Sequence, residues 1–353
     1  MKSVILMIII SVTDFFIGGV TLARTVGIGI QDFETIIKNN YLYVDKTLFI
    51  KEWWSGGDNT TLINRPRRFG KTLNMSMVER FFSIEYAGKG EVFEELAIWE
   101  DEEYRKLQGT YPVISLSFAK LKERNYETTR TKICQMIVEL YKKFSFIKES
   151  DTLHDVDRDF WNRVSMDMDD AVATLAIHQL SAYLEQYYGK KVIILLDEYD
   201  TPMQEAYIHG YWDELAEFTR SMFNAMFKTN PYMERAIMTG ITRVSKESIF
   251  SDLNHLKVVT TTSNEYATSF GFTEDEVFAA LEECELGEEK EKVKCWYDGF
   301  TFGKYRDIYN PWSILNFLDS EGVYEAYWAN SSSNRLINVL LREGNRKVKE
   351  SFE

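Results

Sequence analysis

The transition from strand to helix at residues 62–72 restricts the fold of this chain more than any other feature. An apolar strand passes through a basic loop into a helix, in the run Leu62-Ile63-Asn64-Arg65-Pro66-Arg67-Arg68-Phe69-Gly70-Lys71-Thr72. Backbone N–H groups in such a loop wrap phosphates, a lysine adds a point charge, and a threonine hydroxyl can ligate Mg²⁺. The sequence therefore predicts a nucleotide-binding loop with Thr72 as a metal ligand and with phosphate contacts from Arg67, Arg68, Phe69, Gly70, Lys71 and Thr72.

The match to a full phosphate-loop pattern is incomplete. That pattern has a glycine five positions before Gly70, where this chain has Arg65, and Pro66 removes one backbone donor. For this segment taken alone, an ordinary strand-to-helix turn with a surface lysine stays open as an alternative.

Paired carboxylates end a second strand. Val192 to Leu196 form an uninterrupted apolar run that leads into Asp197 and Glu198. This pattern is typical of a buried parallel strand whose carboxyl end opens onto a ligand crevice. We expect Asp197 to hold Mg²⁺ through its water shell and Glu198 to act as the catalytic group that orients or deprotonates the attacking water. The alternative is a buried strand that simply runs into a charged loop.

Polar groups also end a third apolar stretch, which runs from Arg235 to Arg243. The strand beside the acidic one often carries a residue that senses the γ-phosphate in nucleotide hydrolases. Thr239, Thr242 and Arg243 are the candidates, and Arg243 is also a catalytic candidate. A Thr/Gly turn with a solvated arginine is the competing interpretation.

Further short motifs follow in a fixed order along the chain: Gly29-Ile30-Gln31-Asp32-Phe33, Tyr43-Val44-Asp45-Lys46-Thr47, Phe250-Ser251-Asp252-Leu253-Asn254, Trp296-Tyr297-Asp298-Gly299-Phe300, Tyr309-Asn310-Pro311-Trp312-Ser313 and Tyr327-Trp328. Together with the three strand ends, they resemble the AAA-ATPase-like proteins of the P-loop NTPase superfamily. Members of that family also carry arginine at the place of the first glycine. The resemblance implies Mg²⁺-dependent ATP binding and favours ATP hydrolysis, with ATP and Mg²⁺ as the cofactors.

Many members of that family continue into a PD-(D/E)XK nuclease-like domain. This chain has no strand with a PD-then-(D/E)xK arrangement before Glu353. Nuclease activity is therefore not expected, and the polypeptide would be a fragment or a shortened relative.

Strand patterns alternate with amphipathic helix patterns along most of the chain. Strands are predicted near 60–64 and 112–118, and helices over 71–83, 127–144, 169–188 and 212–228. This alternation predicts the α/β class, a P-loop NTPase three-layer fold with a parallel sheet between two layers of helices. From about Thr273 the pattern changes to short helices and turn-rich aromatic motifs.

The division into domains follows from these patterns. We predict an apolar N-terminal extension over 1–26, an ATPase-like domain over 27–272 and a small helical, lid-like subdomain over 273–353, with a last helix near 334–341. We also hypothesise that residues 30–33 and 43–47 line an adenine pocket, with Lys46 near phosphate or ribose. An edge strand held by Asp45 turn bonding is the alternative for 43–47.

The charge composition of the chain narrows the classes of molecule that it can bind. The chain has 353 residues with 41 basic and 55 acidic side chains, so its net charge of −14 disfavours nucleic acid as a partner. We therefore assign the loop arginines to nucleotide phosphates. A homo-oligomer is left open, because a neighbouring subunit could supply an arginine finger. The protein partner stays unknown.

The location of the protein is the least constrained property. Three widely spaced cysteines suggest no disulfide framework and favour a reducing compartment, so we expect a cytoplasmic protein. Residues 1–23 resemble a secretory signal, which keeps export or membrane tethering as an alternative.

Three functions compete. The protein is an ATPase acting as a switch or motor, a nucleotide-binding scaffold with little turnover, or a regulatory part of a nucleic-acid-processing or defence system.

Overall fold

A parallel β-sheet organises the computed structural model of the protein, which describes residues 24–241, 249–250 and 253–329. Five strands pair in parallel in the order β2-β3-β4-β1-β5. They are β1 (Thr60–Asn64), β2 (Val113–Ser117), β3 (Val192–Asp197), β4 (Met233–Gly240) and β5 (Leu256–Val259). Because all five run in the same direction, their carboxyl ends lie at one edge, where Asn64 is in register with Gly240 and Ser117 with Asp197.

Helices cover both faces of this sheet. In the described residues they are α1 (Phe33–Lys38), α2 (Leu48–Gly56), α3 (Lys71–Phe82), α4 (Glu102–Arg105), α5 (Tyr126–Lys143), α6 (Ser145–Lys148), α7 (Asp155–Arg163), α8 (Asp170–Tyr188), α9 (Thr201–His209), α10 (Trp212–Phe223), α11 (Glu274–Glu283), α12 (Lys290–Tyr297) and α13 (Pro311–Asp319). A π-helical turn, Asn224–Lys228, follows α10.

Two hydrophobic cores lie on opposite faces of the sheet, because successive residues of a strand point to opposite sides. In β1, Leu62 packs with α5, α8, α9 and α10, whereas Ile63 packs with α2 and α3. Strand β3 divides in the same way, with Ile194 in the first core and Ile193 in the second. The predicted α/β class with a parallel sheet is therefore confirmed.

The predicted elements of this sheet agree closely with the structure. The strand predicted near 60–64 is β1, the one predicted over 112–118 is β2, and the helix predicted over 71–83 is α3. Strand β5 was not predicted, because a four-residue strand is too short to show a periodic pattern.

The region after residue 272 contains strands as well as the predicted short helices. Helices α11, α12 and α13 accompany a small antiparallel sheet in the order β6-β8-β7, formed by β6 (Phe272–Thr273), β7 (Phe300–Phe302) and β8 (Tyr305–Tyr309). The helix predicted near 334–341 lies outside the described residues. The domain boundaries and the lid role stay predictions.

Helix α13 begins as its sequence predicts. Asn310 caps it by accepting a hydrogen bond from the Ser313 N–H, and Pro311 is its first residue.

None of the described helices combines the length and the apolar character that a membrane crossing requires. Residues 1–23 lie outside the described ranges, so the cytoplasmic location stays a prediction.

Candidate functional site

A cleft of about 450 Å³ opens at the carboxyl edge of the parallel sheet. Its walls come from the loop after β1, the start of α3, the β3–α9 turn and the beginning of α13. The N-terminal segment around Ile30 and Val44 forms a further wall. The cleft therefore has a polar end at the strand edge and an apolar end made by Ile30, Ile36, Leu42, Val44, Phe272 and Leu315.

The loop between β1 and α3 presents backbone donors at the polar end. Gly70 has φ +78°, in the left-handed region that favours glycine, and Arg68 has φ +70°. In the described ranges, no protein acceptor bonds the backbone N–H groups from Arg67 to Leu73. These donors lie at the N-terminus of α3, where the helix dipole favours an anion. The backbone therefore fits a bound phosphate group.

The Lys71 ammonium lies over this loop. Its Nζ donates hydrogen bonds to the carbonyls of Arg65 at 3.1 Å and Pro66 at 3.0 Å, and the side chain is buried. Burial lowers the pKa of Lys71, while the carboxylates of Glu198, Asp197 and Asp200 act in the opposite direction. The cation is thus close to the acidic strand end, but its present partners belong to its own loop.

Three oxygen-bearing side chains meet where α3, β3 and β4 converge. The Thr72 Oγ1 donates to Asp197 Oδ2 at 2.7 Å, and the Thr239 Oγ1 donates to Asp197 Oδ1. Asp197 is only 4% exposed. A hydroxyl and a carboxylate this close are the hard oxygen ligands that Mg²⁺ prefers, and Mg²⁺ usually uses one or two carboxylates plus substrate phosphates. The donor set therefore fits a magnesium ion.

Glu198 lies next to this group in a constrained conformation. Its φ is +52°, which is uncommon for a residue with a side chain. Its N–H donates to Thr239 Oγ1 at 3.4 Å, and its carboxylate accepts from Thr201 Oγ1 at 3.0 Å. Both Glu198 and Thr201 line the cleft. Residues held in such a conformation cluster at functional sites, because the surroundings must fix them.

Arg65 does not line the cleft, contrary to our assignment of the loop arginines to phosphates. Its guanidinium is fully buried and donates to the carbonyls of Thr260, Glu265 and Tyr266. It also packs 4.7 Å from the ring of Phe302. Burial lowers the pKa of Arg65 to about 10, so it is charged at neutral pH. Arg65 therefore ties the loop to the body of the protein.

Loop residues 67–69 have separate environments. Arg68 stacks on the Trp312 ring at 3.9 Å, and the Arg67 carbonyl accepts hydrogen bonds from Asn310 Nδ2 at 3.4 Å and Trp328 Nε1 at 3.2 Å. The Phe69 ring is buried among Ala267, Phe300, Phe302 and Ile308. All three residues line the cleft, and for Phe69 the backbone is the part suited to an anion.

Two predicted site residues, Thr242 and Arg243, lie outside the described residues. Sequence reasoning also missed several lining residues, among them Asn74, Lys122, Thr201 and Trp312. Thr201 follows the acidic pair so closely that its place in the turn could have been suspected. Lys122 joins the cleft only through the fold, and no local pattern marks it. Trp312 belongs to the motif Tyr309-Asn310-Pro311-Trp312-Ser313, which did not indicate a place in the cleft.

Comparison with known proteins supplies the family. The model of the family described as "Predicted AAA-ATPase" matches residues 27–250, which is more than half of the chain and includes the loop, the acidic strand end and β4. The chain belongs to this family. Membership supports nucleotide binding in general and agrees with the cleft described above.

One relative of this AAA-ATPase-like chain is described as "Uncharacterized protein in vnfD 5'region" of Azotobacter chroococcum mcd 1. It is 25% identical over 318 residues, which cover 90% of this chain and 56% of that protein. The chain thus spans about half the length of the curated relative that it matches. This relative assigns no activity to the family.

In this AAA-ATPase-like chain the apolar end of the cleft includes both segments of our adenine-pocket hypothesis. Ile30, Tyr43 and Val44 line it. Lys46 also lines it, but its Nζ already donates to both Glu276 carboxylate oxygens at 2.6 Å and to the Thr268 carbonyl at 2.8 Å. The two Glu276 oxygens belong to one carboxylate and lie on one side of the ammonium, and the Thr268 carbonyl is a second acceptor. In the structure Lys46 therefore holds the wall of the pocket, and its contact with phosphate or ribose stays a prediction.

Proposed function

We propose that the chain is a magnesium-dependent ATPase that binds ATP in this cleft. The observation that carries the proposal is the 2.7 Å contact between the Thr72 hydroxyl and the Asp197 carboxylate, beside backbone donors that no acceptor in the described part of the chain bonds. A helix N-terminus, a lysine, a hydroxyl and two acids then surround one site. Family membership supports the choice of a nucleotide over another anion.

Each residue has a distinct role in the proposal. Lys71 and the loop N–H groups bind the β- and γ-phosphates, with Arg67 and Arg68 at the rim. Thr72 and Asp197 hold Mg²⁺, which neutralises charge on the phosphates when it is bound. Glu198 orients or deprotonates the attacking water, and Thr239 keeps Asp197 in place. Thr242 and Arg243 keep their assignment as γ-phosphate sensors. The adenine base occupies the apolar end of the cleft.

Binding and hydrolysis can be tested separately. Titration calorimetry with ATP, with and without Mg²⁺, should show that Lys71→Ala weakens MgATP binding roughly 100-fold, because it removes charge-assisted contacts to phosphate. Lys106→Ala is the matched control, since Lys106 is 70% exposed and pairs with Glu102. Unchanged MgATP affinity in Lys71→Ala would show that ATP does not bind at this loop.

Substitution of Glu198 tests the hydrolysis step. Glu198→Gln should lower phosphate release about 100-fold or more, the usual contribution of a positioned base, while MgATP affinity stays within about twofold. Equal phosphate release by the variant and the wild type would show that Glu198 is not the catalytic group.

A nucleotide-binding scaffold with little turnover is the second candidate. It is favoured by the contacts of Lys71 with the Arg65 and Pro66 carbonyls, which compete with phosphate for the ammonium. This candidate predicts thermal stabilisation by MgATP without release of phosphate.

A further inference from the structure

The turn between β3 and α9 places a hydroxyl against the proposed catalytic carboxylate. Thr201 Oγ1 donates to Glu198 Oε2 at 3.0 Å, and the Thr201 N–H donates to the Glu198 carbonyl at 3.1 Å. Thr201 is the first residue of α9 and is only 7% exposed. The hydroxyl is therefore fixed by the helix and largely shielded from water, conditions in which a hydrogen bond to a carboxylate is strong.

The backbone of Glu198 has an uncommon conformation that its neighbours hold in place. With φ at +52°, Glu198 has a conformation that persists only when the surroundings determine it. Thr239 holds the residue through the Glu198 N–H, and Thr201 holds it through the carboxylate. Across the described residues, Thr201 is the side chain that donates to this carboxylate, which leaves Oε1 for a water molecule in the cleft.

We infer that Thr201 is a positioning residue that orients the Glu198 carboxylate for its water. This inference rests on the proposed ATPase function and adds a residue to it. Thr201 does not touch the nucleotide in this account and acts through Glu198. Its removal should therefore affect stabilisation of the transition state and leave ground-state nucleotide binding intact.

The first test compares Thr201→Val with Thr201→Ser. Loss of the hydroxyl in Thr201→Val should lower the kcat of phosphate release roughly tenfold, with the KM for ATP within about twofold, because a hydrogen bond to a charged group is removed. Thr201→Ser keeps the donor and should stay within about threefold of the wild type. The matched control is Thr174→Val, since the buried Thr174 hydroxyl bonds the Asp170 carbonyl at 2.7 Å away from the cleft.

A second readout does not depend on turnover. Calorimetry with ADP plus aluminium fluoride and Mg²⁺ mimics the transferring phosphoryl group, whereas ADP with Mg²⁺ alone does not. Thr201→Val should bind the fluoride complex roughly tenfold more weakly and ADP alone as well as the wild type. In a Glu198→Gln background, Thr201→Val should have no additional effect, because the two residues act as one unit.

The outcomes separate this inference from the proposed function. Phosphate release that depends on Glu198 but not on Thr201 would overturn the inference and leave the ATPase in place. Absence of phosphate release by the wild-type protein would overturn the proposed ATP hydrolysis. In that case, equal binding of the fluoride complex by the wild type and Thr201→Val would overturn the inference too. A parallel loss of ADP affinity in Thr201→Val would reassign Thr201 to folding of the cleft.

Discussion

The polar end of the cleft consists of two halves whose side chains bind different partners. In the acid half, formed by Thr72, Asp197, Glu198, Thr201 and Thr239, side chains bond one another across the ends of α3, β3 and β4. In the loop half, residues 65–71, the side chains are anchored elsewhere. Arg65 bonds carbonyls of residues 260–266, and Lys71 bonds its own loop.

This difference predicts different effects of substitutions in the two halves. In the acid half a hydroxyl lies next to a carboxylate, an arrangement that fits a metal ion. In the loop half Arg65 bonds the body of the protein, while Lys71 lines the cleft. We therefore expect removal of Arg65 to reduce stability, and changes at Lys71 and in the acid half to reduce ligand binding.

The largest effect is expected for Arg65. Arg65→Ala should lower the free energy of unfolding by about 3 kcal/mol, because it removes a buried guanidinium and leaves several carbonyls unsatisfied. Urea unfolding followed by circular dichroism measures the change. Arg67→Ala is the control, since no hydrogen bond or ion pair of its side chain occurs within the described residues, and it should change the value by less than about 0.5 kcal/mol. Equal effects of the two variants would contradict the anchoring role of Arg65.

A smaller effect, on ligand binding, is expected for Asp197. Asp197→Asn removes the charge that would hold the metal and keeps one acceptor oxygen, enough for either the Thr72 or the Thr239 hydroxyl. The gain in ATP affinity on adding Mg²⁺ should fall roughly tenfold, and ATP affinity without Mg²⁺ should not decrease. Calorimetry with and without Mg²⁺ measures this, with Asp213→Asn on the exposed face of α10 as the control. An unchanged Mg²⁺ effect would show that the acid half is not a metal site.

The smallest effect concerns the contact of Arg68 with Trp312. A double-mutant cycle with Arg68→Ala and Trp312→Leu should give a coupling of about 0.5–1 kcal/mol in stability for the nucleotide-free protein, the range for a cation over an aromatic ring. With saturating MgATP the coupling should decrease, because phosphate would compete for the guanidinium. A coupling that nucleotide leaves unchanged would assign Arg68 to the fixed part of the loop half.

Three residues of the acid half could be predicted from sequence because parallel strands end at one edge of the sheet, whereas Thr201 was missed. Asp197 and Thr239 lie at or near the carboxyl ends of neighbouring parallel strands, and Thr72 lies at the start of the helix after a third. Parallel strands bring such positions to one edge regardless of detail. The contacts among these three residues are in the structure, whereas their roles in metal and phosphate binding stay predictions.

The loop half could not be predicted in this way. The partners of Arg65 lie about 200 residues further along the chain, and backbone carbonyls carry no sequence signature. The same limit applies to Lys46, whose Nζ contacts Thr268 and Glu276, two residues far along the chain that no local pattern indicates. Strands β6 and β7 are also too short to give a periodic signal.

The Phe69 ring has a consequence for anyone who wishes to cut the protein into parts. It is buried against Phe300, Phe302 and Ile308, and Arg65 stacks on the same Phe302. A recombinant piece that stopped at residue 272, the predicted domain boundary, would expose the Phe69 ring and remove the Phe302 contact of Arg65 in the loop proposed to bind phosphate. Expression trials should therefore keep the small antiparallel sheet attached, because its residues Phe300, Phe302 and Ile308 cover the Phe69 ring.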